Sequence, residues 1–420
     1  AGEQIYHYEQ VYYGNQTLVN ALTFKVNEND PDLTELVARE ALLQLYHEYY
    51  VVLGYEIVYS SKHNSLVYVQ KSKEQAENDL LSNLKYVKDV SWTVIFEKEI
   101  NTPFDPNILS RWSIIKQDSS HYILILSCHH AIVDAKCSYY IGCKYLSLCL
   151  NINDKHPINN NTNTHLNPME IYLFNKYEYE KITCQFQLRN KRSQIITDST
   201  HVQCFLTCEG TIDILKSKCH SYNLKMNGLL SLVTSYGYYL TKNYIDEKSI
   251  KIHMMVNIRP FIYLPFNQSG MFVTVFDDST NIPSNNMEIS ALWNNAKNLS
   301  VNLHHRINNK EYYNNLKNDT DLLKMIYKNE TTLSDVDFAF SNLGLLPNEE
   351  KRIDGQYFAV SLPENRWTSH ILVGVGTVNN QICWTISYNA KHITKEFVQK
   401  WQKNIQNIIE QVVFNTQNNE

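Results

Sequence analysis

Two adjacent histidines, His129 and His130, followed by Asp134, are the side chains of this sequence best suited to chemistry. A neutral imidazole titrates near physiological pH, so a histidine can take a proton from a hydroxyl, amine or thiol without a cofactor. The residues before them, 122–128, form a continuous apolar run that is typical of a strand buried on both faces. The pattern predicts a strand that delivers the histidines into a turn, with His130 as a general base held in one tautomer.

The string HHAIVD, residues 129–134, resembles the HHxxxD signature of the CoA-dependent acyltransferase superfamily. That superfamily includes chloramphenicol acetyltransferase, wax ester synthases, alcohol O-acetyltransferases and the condensation domains of nonribosomal peptide synthetases. The resemblance implies that His130 is the catalytic base, that His129 supports the turn and that Asp134 belongs to a structural salt bridge. The residue after the aspartate is usually glycine and is Ala135 here, which we expect to alter the turn only slightly where φ stays negative.

Two later segments resemble the same superfamily. A predicted strand, KIHMMVNI, runs into Arg259, and the resemblance implies that Arg259 pairs with Asp134 and joins the two halves of the chain. The segment FAFSNLGLLP resembles the Ser-Asn-x-Gly of alcohol acetyltransferases and polyketide-associated relatives, which implies that Ser341, Asn342 and Gly344 bind substrate. An ordinary turn at a strand end is an equally open interpretation, because serine, asparagine and glycine are common turn residues.

The composition indicates a globular protein. Apolar residues make up 43% of the 420 residues and charged residues 19%, and the net charge of −5 gives no basic footprint for nucleic acid. Nine cysteines without CxxC pairs indicate reduced thiols in a cytoplasmic protein. No apolar run reaches the roughly 18 residues of a membrane helix, and no signal peptide is evident. We expect no metal site, because the adjacent histidines project differently and lack a third ligand.

The order of predicted elements fits an α/β fold. The resemblance implies two chloramphenicol acetyltransferase-like subdomains, each with a mixed sheet, and an active-site tunnel between them. An Asn-rich stretch at 151–168 places the boundary, so we predict an N-terminal subdomain at 1–165, a crossover at 166–198 and a C-terminal subdomain at 199–420. Within these we predict a helix with Asp30 as its N-cap, a helix at 75–90, and a buried helix directly after Asp134. We also predict a final helix that is capped by Thr394 and whose apolar face consists of Val398, Trp401, Ile405, Ile408 and Val412.

The resemblance implies an O-acyltransferase that moves an acyl group from acyl-CoA, as co-substrate and not as a bound cofactor, to a small or lipophilic alcohol. The expected partners are acyl-CoA or an acyl-carrier protein and an alcohol or amine acceptor, and we expect a monomer. Two alternatives stay open. One is a condensation-type domain that joins carrier-bound substrates by an amide or ester, and the other is an inactive binding module of the same fold.

A second histidine pair, His304 and His305, is an internal control. It lies in a polar helical stretch with Asn309 where the motif has aspartate, so we expect this pair to be solvated surface.

Overall fold

The computed structural model describes residues 3–4, 16–60, 65–151, 199–264, 268–283, 288–315, 336–348, 351–362 and 369–414. Residues 152–168 of the Asn-rich stretch and the predicted boundaries at 165 and 198 lie outside these residues. The strands are β1 Glu3–Gln4, β2 Thr17–Lys25, β3 Tyr55–Ser60, β4 Ser65–Gln70, β5 Leu84–Lys88, β6 Ser110–Lys116, β7 His121–His129, β8 Thr200–Leu206, β9 Lys248–Asn257, β10 Val273–Ile282, β11 Phe338–Leu345, β12 Ile353–Val360, β13 Ile371–Val378 and β14 Gln381–Asn389. The α-helices are α1 Glu35–Glu48, α2 Lys73–Ser82, α3 Trp92–Asn101, α4 Ala135–Cys149, α5 Thr211–Ser221, α6 Met226–Thr241, α7 Ile289–Asn308 and α8 Lys395–Phe414.

The chain divides into two compact units. The first comprises the described parts of Ala1–Asp198, Asn257–Val273 and Pro347–Pro363, and the second those of Ser199–Val256, Thr274–Leu346 and Glu364–Glu420. Each unit has one mixed sheet, of five strands in the first and six in the second. The predicted α/β class with a mixed sheet in each half is confirmed.

The sheet of the first unit is built around β7. Its strand order is β12-β2-β7-β6-β5, and β7 is antiparallel to both of its neighbours. Every residue of β7 after His121 is buried, so both faces of the strand are covered, as its apolar run predicts. Helices α3 and α4 pack on β2 and β7. At Gly142 of α4, an added Cβ atom would come within 2.8 Å of Leu22 on β2, so this glycine lets the helix lie close to the sheet.

The sheet of the second unit has the order β10-β9-β11-β13-β14-β8. Strands β9, β11 and β13 are parallel, whereas β14 and β8 continue the sheet in antiparallel fashion. Helix α6 packs against α7 and α8. Thr394 caps α8, and the buried face of α8 includes the predicted Val398, Trp401, Ile405, Ile408 and Val412, so this element is confirmed.

Three local predictions need correction. Helix α1 begins at Glu35 with Thr34 as its N-cap, because the carboxylate of Asp30 is bound instead by Asn27 N and Arg352. The predicted helix at 75–90 ends at Ser82, and β5 follows because Leu84–Lys88 pairs in parallel with β6. Strand β12 was not predicted at all. It forms because Ile353–Val360 pairs with β2, more than 300 residues away in sequence.

Helices that could span a membrane are not found in the portion of the chain that the structure describes.

Candidate active site

The two histidines of HHAIVD lie where β7 leaves the sheet of the first unit. His129 is the last residue of β7, and His130 is the first residue of the turn. Both are buried, with exposed fractions of 2% and 7%. The backbone N–H of His129 donates to Leu109 O at 2.9 Å, and that of His130 donates to Gln16 O at 3.0 Å. The turn is therefore bonded to the chain on both sides of β7, which fixes the backbone under both imidazoles.

The ring of His130 is held in one tautomer. Its Nδ1 lies 2.9 Å from the carbonyl oxygen of Val133, in the same turn. Because a carbonyl can only accept, Nδ1 carries the hydrogen and donates it, and the lone pair of the neutral ring is on Nε2. The arrangement that a general base requires is thus supplied by the turn itself.

The ring of His129 has a different arrangement. Its Nδ1 accepts a hydrogen bond from the N–H of Ala131 at 3.2 Å, so the hydrogen of a neutral His129 ring is on Nε2. The hydroxyl of Tyr68 donates to Ala131 O at 3.1 Å, and Ile132 N donates to His129 O at 3.1 Å. His129 therefore bonds to the turn that carries His130, which agrees with a supporting role. Tyr68, from β4, is a contributor that sequence reasoning missed.

Asp134 joins three parts of the chain through one carboxylate, by two backbone N–H groups and one guanidinium. It is the N-cap of α4, and its Oδ1 accepts from Cys137 N at 2.9 Å. Its Oδ2 accepts from Nη1 of Arg259 and, at 3.1 Å, from the N–H of Phe272. Ala135 is the first residue of α4, where the helical backbone has negative φ, so alanine is tolerated after the aspartate.

Arg259 is fully buried and is bonded on several sides. Its Nη2 donates to the carbonyls of Gln268 at 2.7 Å and Gly270 at 3.1 Å, and its guanidinium carbon lies 4.6 Å from the centre of the Phe272 ring. Gly270 N in turn donates to Ile132 O at 2.9 Å. Both Asp134 and Arg259 belong to the first unit. The ion pair therefore connects segments that are distant in sequence but lie within one unit. The prediction from the sequence was that it joins the two halves of the chain.

A second buried ion pair lies behind His129. Nε of Arg111 donates to Glu99 at 2.6 Å, its Nη2 donates to Thr102 O at 2.9 Å, and its guanidinium carbon lies 3.9 Å from the centre of the Phe104 ring. The Phe104 ring is 5.9 Å from that of His129. Burial alone would raise the pKa of Glu99, but the charges and hydrogen bonds of Arg111 and Lys85 together outweigh it, and the pKa is lowered. Glu99 is missed by sequence reasoning, because nothing local links it to Arg111.

The cysteines that flank HHAIVD are not suited to nucleophilic chemistry. Burial raises the pKa of the Cys128 thiol well above its ordinary value, and it raises the pKa of Cys137 to about 12. Both groups are therefore neutral thiols at physiological pH, and the thiolate is the reactive form.

Ser341, Asn342 and Gly344 lie near the end of β11 in the second unit. The carboxamide of Asn342 donates to Asn227 Oδ1 at 3.1 Å and accepts from Gly344 N at 2.8 Å. Gly344 has φ +73°, and the pairing of β11 with β13 is irregular between Asn342 and Leu345. These contacts give Asn342 and Gly344 a part in shaping the strand end. A part in substrate binding stays a prediction for all three residues.

Within the described ranges, no three His, Cys, Asp or Glu side chains lie close enough together to bind a metal ion. His304 and His305 are both exposed on α7, which confirms the prediction that this pair is solvated surface.

Comparisons with known proteins identify the fold. No protein-family model matches the sequence, and no curated protein does. Among solved structures, the trichothecene 15-O-acetyltransferase TRI3 from Fusarium sporotrichioides is similar, with 13% identity, a TM-score of 0.67, and coverage of 97% of this chain and 93% of TRI3. A wax ester synthase/diacylglycerol acyltransferase from Marinobacter aquaeolei VT8 has 13% identity, a TM-score of 0.62, and coverage of 98% of this chain and 99% of its own.

The first condensation domain of the CDA synthetase is also similar, with 9% identity and a TM-score of 0.66 over 98% of this chain and 95% of that domain. The chain therefore has the fold of the CoA-dependent acyltransferases and condensation domains, and the fold that the HHxxxD resemblance implies is confirmed.

Proposed function

We propose that this protein is an acyltransferase that moves an acyl group from acyl-CoA to the hydroxyl of a small or lipophilic alcohol, with His130 as general base. The observation that carries the proposal is the hydrogen bond from His130 Nδ1 to Val133 O, because it leaves the basic lone pair on Nε2. A buried base with a fixed tautomer, at the end of a fully buried strand, is preorganised for proton transfer.

The reaction needs one base and no covalent intermediate. His130 Nε2 takes the proton of the acceptor hydroxyl while the oxygen attacks the thioester carbonyl. The carbon–sulfur bond then breaks, and the imidazolium returns the proton to the departing thiolate, which leaves as the free thiol of CoA. Cys128 and Cys137 do not compete as nucleophiles, since burial raises both pKa values.

The oxyanion of the tetrahedral intermediate needs a hydrogen-bond donor. Loss of one such donor typically raises the barrier by about 3 kcal/mol.

A second candidate is a condensation-type reaction between carrier-bound substrates. It is favoured by the likeness to the condensation domain of the CDA synthetase, whose TM-score of 0.66 is close to the 0.67 for the acetyltransferase. The same base would then deprotonate an amine or hydroxyl of a carrier-bound acceptor.

The test is the release of free thiol from a panel of acyl-CoAs and acyl-carrier-protein thioesters, with and without alcohols. We expect His130→Ala to reduce alcohol-dependent release by roughly 10²- to 10⁴-fold, and His304→Ala, on the exposed α7 face, to behave as wild type. Equal rates for wild type and His130→Ala would overturn the base assignment. Release from carrier-protein thioesters alone would favour the condensation reaction, and release from neither donor would favour a binding module.

A further inference from the structure

Gln16 lies directly beside the candidate base. In the antiparallel pairing of β2 with β7, Thr17 is opposite His129, and one step further Gln16 O accepts the N–H of His130 at 3.0 Å. Residues opposite each other in antiparallel strands send their side chains to the same face, with Cβ atoms about 5 Å apart. The Gln16 side chain therefore leaves the backbone on the same face as the His130 imidazole.

The Gln16 side chain is buried without full use of its hydrogen-bonding groups. Its exposed fraction is 3%, and Oε1 is buried without a hydrogen-bond partner among the residues that the structure describes. Such a group opposes folding, and an apolar side chain of similar length would fill the same space without that penalty. Departures from satisfied polar burial are expected where a residue serves a ligand. The terminal torsion of glutamine is broad, so the amide can turn either its oxygen or its NH₂ toward a bound group.

We propose that the Gln16 carboxamide binds a second polar group of the acyl acceptor, next to the hydroxyl that His130 deprotonates. This inference rests on the proposed function and narrows its substrate class to acceptors with two neighbouring polar groups, such as diols or hydroxy amides. A hydroxyl or amide N–H of the acceptor donates to Gln16 Oε1, while the reacting hydroxyl donates to His130 Nε2. Two fixed contacts orient the acceptor more tightly than one.

The test compares acceptors that differ in one hydroxyl, 1,2- and 1,3-octanediol against 1-octanol, in wild type and Gln16→Met. We expect wild type to favour at least one diol in kcat/KM by about three- to tenfold, the value of an ordinary hydrogen bond. In Gln16→Met the ratio of kcat/KM for the diol to kcat/KM for 1-octanol should fall to about one. The midpoint of urea unfolding should be equal or higher, because the variant removes a buried polar group without a partner.

Ser387→Ala is the matched control. Ser387 is a buried β14 residue of the second unit, and its hydroxyl also has no partner in the part of the chain that the structure describes. It should leave the diol preference unchanged. An unchanged diol preference in Gln16→Met would overturn the proposal, as would a lower unfolding midpoint with proportional loss for all three acceptors. If wild type transfers no acyl group to any acceptor, the proposed function fails, and calorimetric binding of the diols to wild type and Gln16→Met then decides the Gln16 contact separately.

Discussion

Asp134 and Arg259 form a buried ion pair in which Oδ2 of the carboxylate accepts from the guanidinium and from the N–H of Phe272. The other oxygen, Oδ1, caps α4 through Cys137 N. One side chain thus ties the turn that carries His130 to the start of α4 and to the 257–273 segment. The role of Asp134 is structural, and it differs in this from His130, the proposed base.

Replacing Asp134 by Asn should destabilise the protein by about 3 to 5 kcal/mol, because Arg259 is left as a buried, uncompensated charge. Asparagine keeps an oxygen for the N-cap, so the loss reports chiefly on the ion pair. The free energy of urea unfolding measures it. Adding Arg259→Met to Asp134→Asn should recover part of the loss, since no charge is then stranded. A single variant as stable as wild type would contradict the buried ion pair.

Replacing His129 by Asn should be tolerated far better than replacing it by Leu. The Oδ1 of asparagine can take the place of Nδ1 and accept from Ala131 N, whereas leucine leaves that buried N–H without a partner at a cost of about 1 to 3 kcal/mol. We expect kcat to remain within about threefold for Asn and to fall by tenfold or more for Leu, because the turn that holds the base shifts.

His130→Asn is the comparison for the Asn and Leu variants at position 129. Neither the amide oxygen nor the amide nitrogen of asparagine can replace Nε2 of His130 as a base. His130→Asn should lose turnover as fully as His130→Ala. Equal activity of the Asn and Leu variants at position 129 would contradict the acceptor role of His129 Nδ1.

The pH dependence of stability should carry the signature of Glu99. Its pKa in the folded protein lies below the ordinary value of 4.5, so ionised Glu99 stabilises the fold above pH 4.5. That stabilisation is lost as the pH falls from 4.5 through the lower folded pKa. Unfolding of Glu99→Gln, measured by urea titration at a series of pH values, should show a shallower fall over this range than wild type. Identical slopes would mean that Glu99 does not titrate with folding.

Alanine at Gly270 should be far more damaging than alanine at Gly344. Gly270 has φ +126°, and an added Cβ atom would come within 2.9 Å of the Phe272 ring, so we expect a loss of about 3 kcal/mol or more. Gly344 has φ +73° and open space around it. Alanine there meets no clash, and the left-handed backbone alone should destabilise the variant by about 1 to 2 kcal/mol. Thermal or urea unfolding would show the order, and a reversed order would contradict it.

Elements fixed by local pattern were predictable from the sequence. The apolar run before His129 predicts β7, and the apolar stretch after Asp134 predicts α4. Helix α8 is predicted by its cap, Thr394, together with the helical spacing of Val398 and Trp401. In each case one periodicity or one cap is enough, because the element's burial agrees with its own local preference. The resemblance of the segment that runs into Arg259 also predicted that this residue pairs with Asp134.

Features that depend on distant partners were not predictable in this way. Asp30 has the chemistry of an N-cap, but Arg352, more than 300 residues later, engages its carboxylate and Thr34 caps α1 instead. Strand β12 forms because Ile353–Val360 pairs with the edge of β2. Gln16 shows no local signal either, since its place opposite His130 follows from strand register alone.

The pairing of β12 with β2 also sets an order of events during synthesis. Strand β2 is made well before β12, yet its outer edge pairs with Ile353–Val360, and Arg259 must also be made before Asp134 has its partner. At roughly 5 to 20 residues per second, about 330 further residues leave that edge open for tens of seconds on the ribosome. An open strand edge is a template for aggregation, so the nascent chain should depend on chaperones until Ile353–Val360 has emerged.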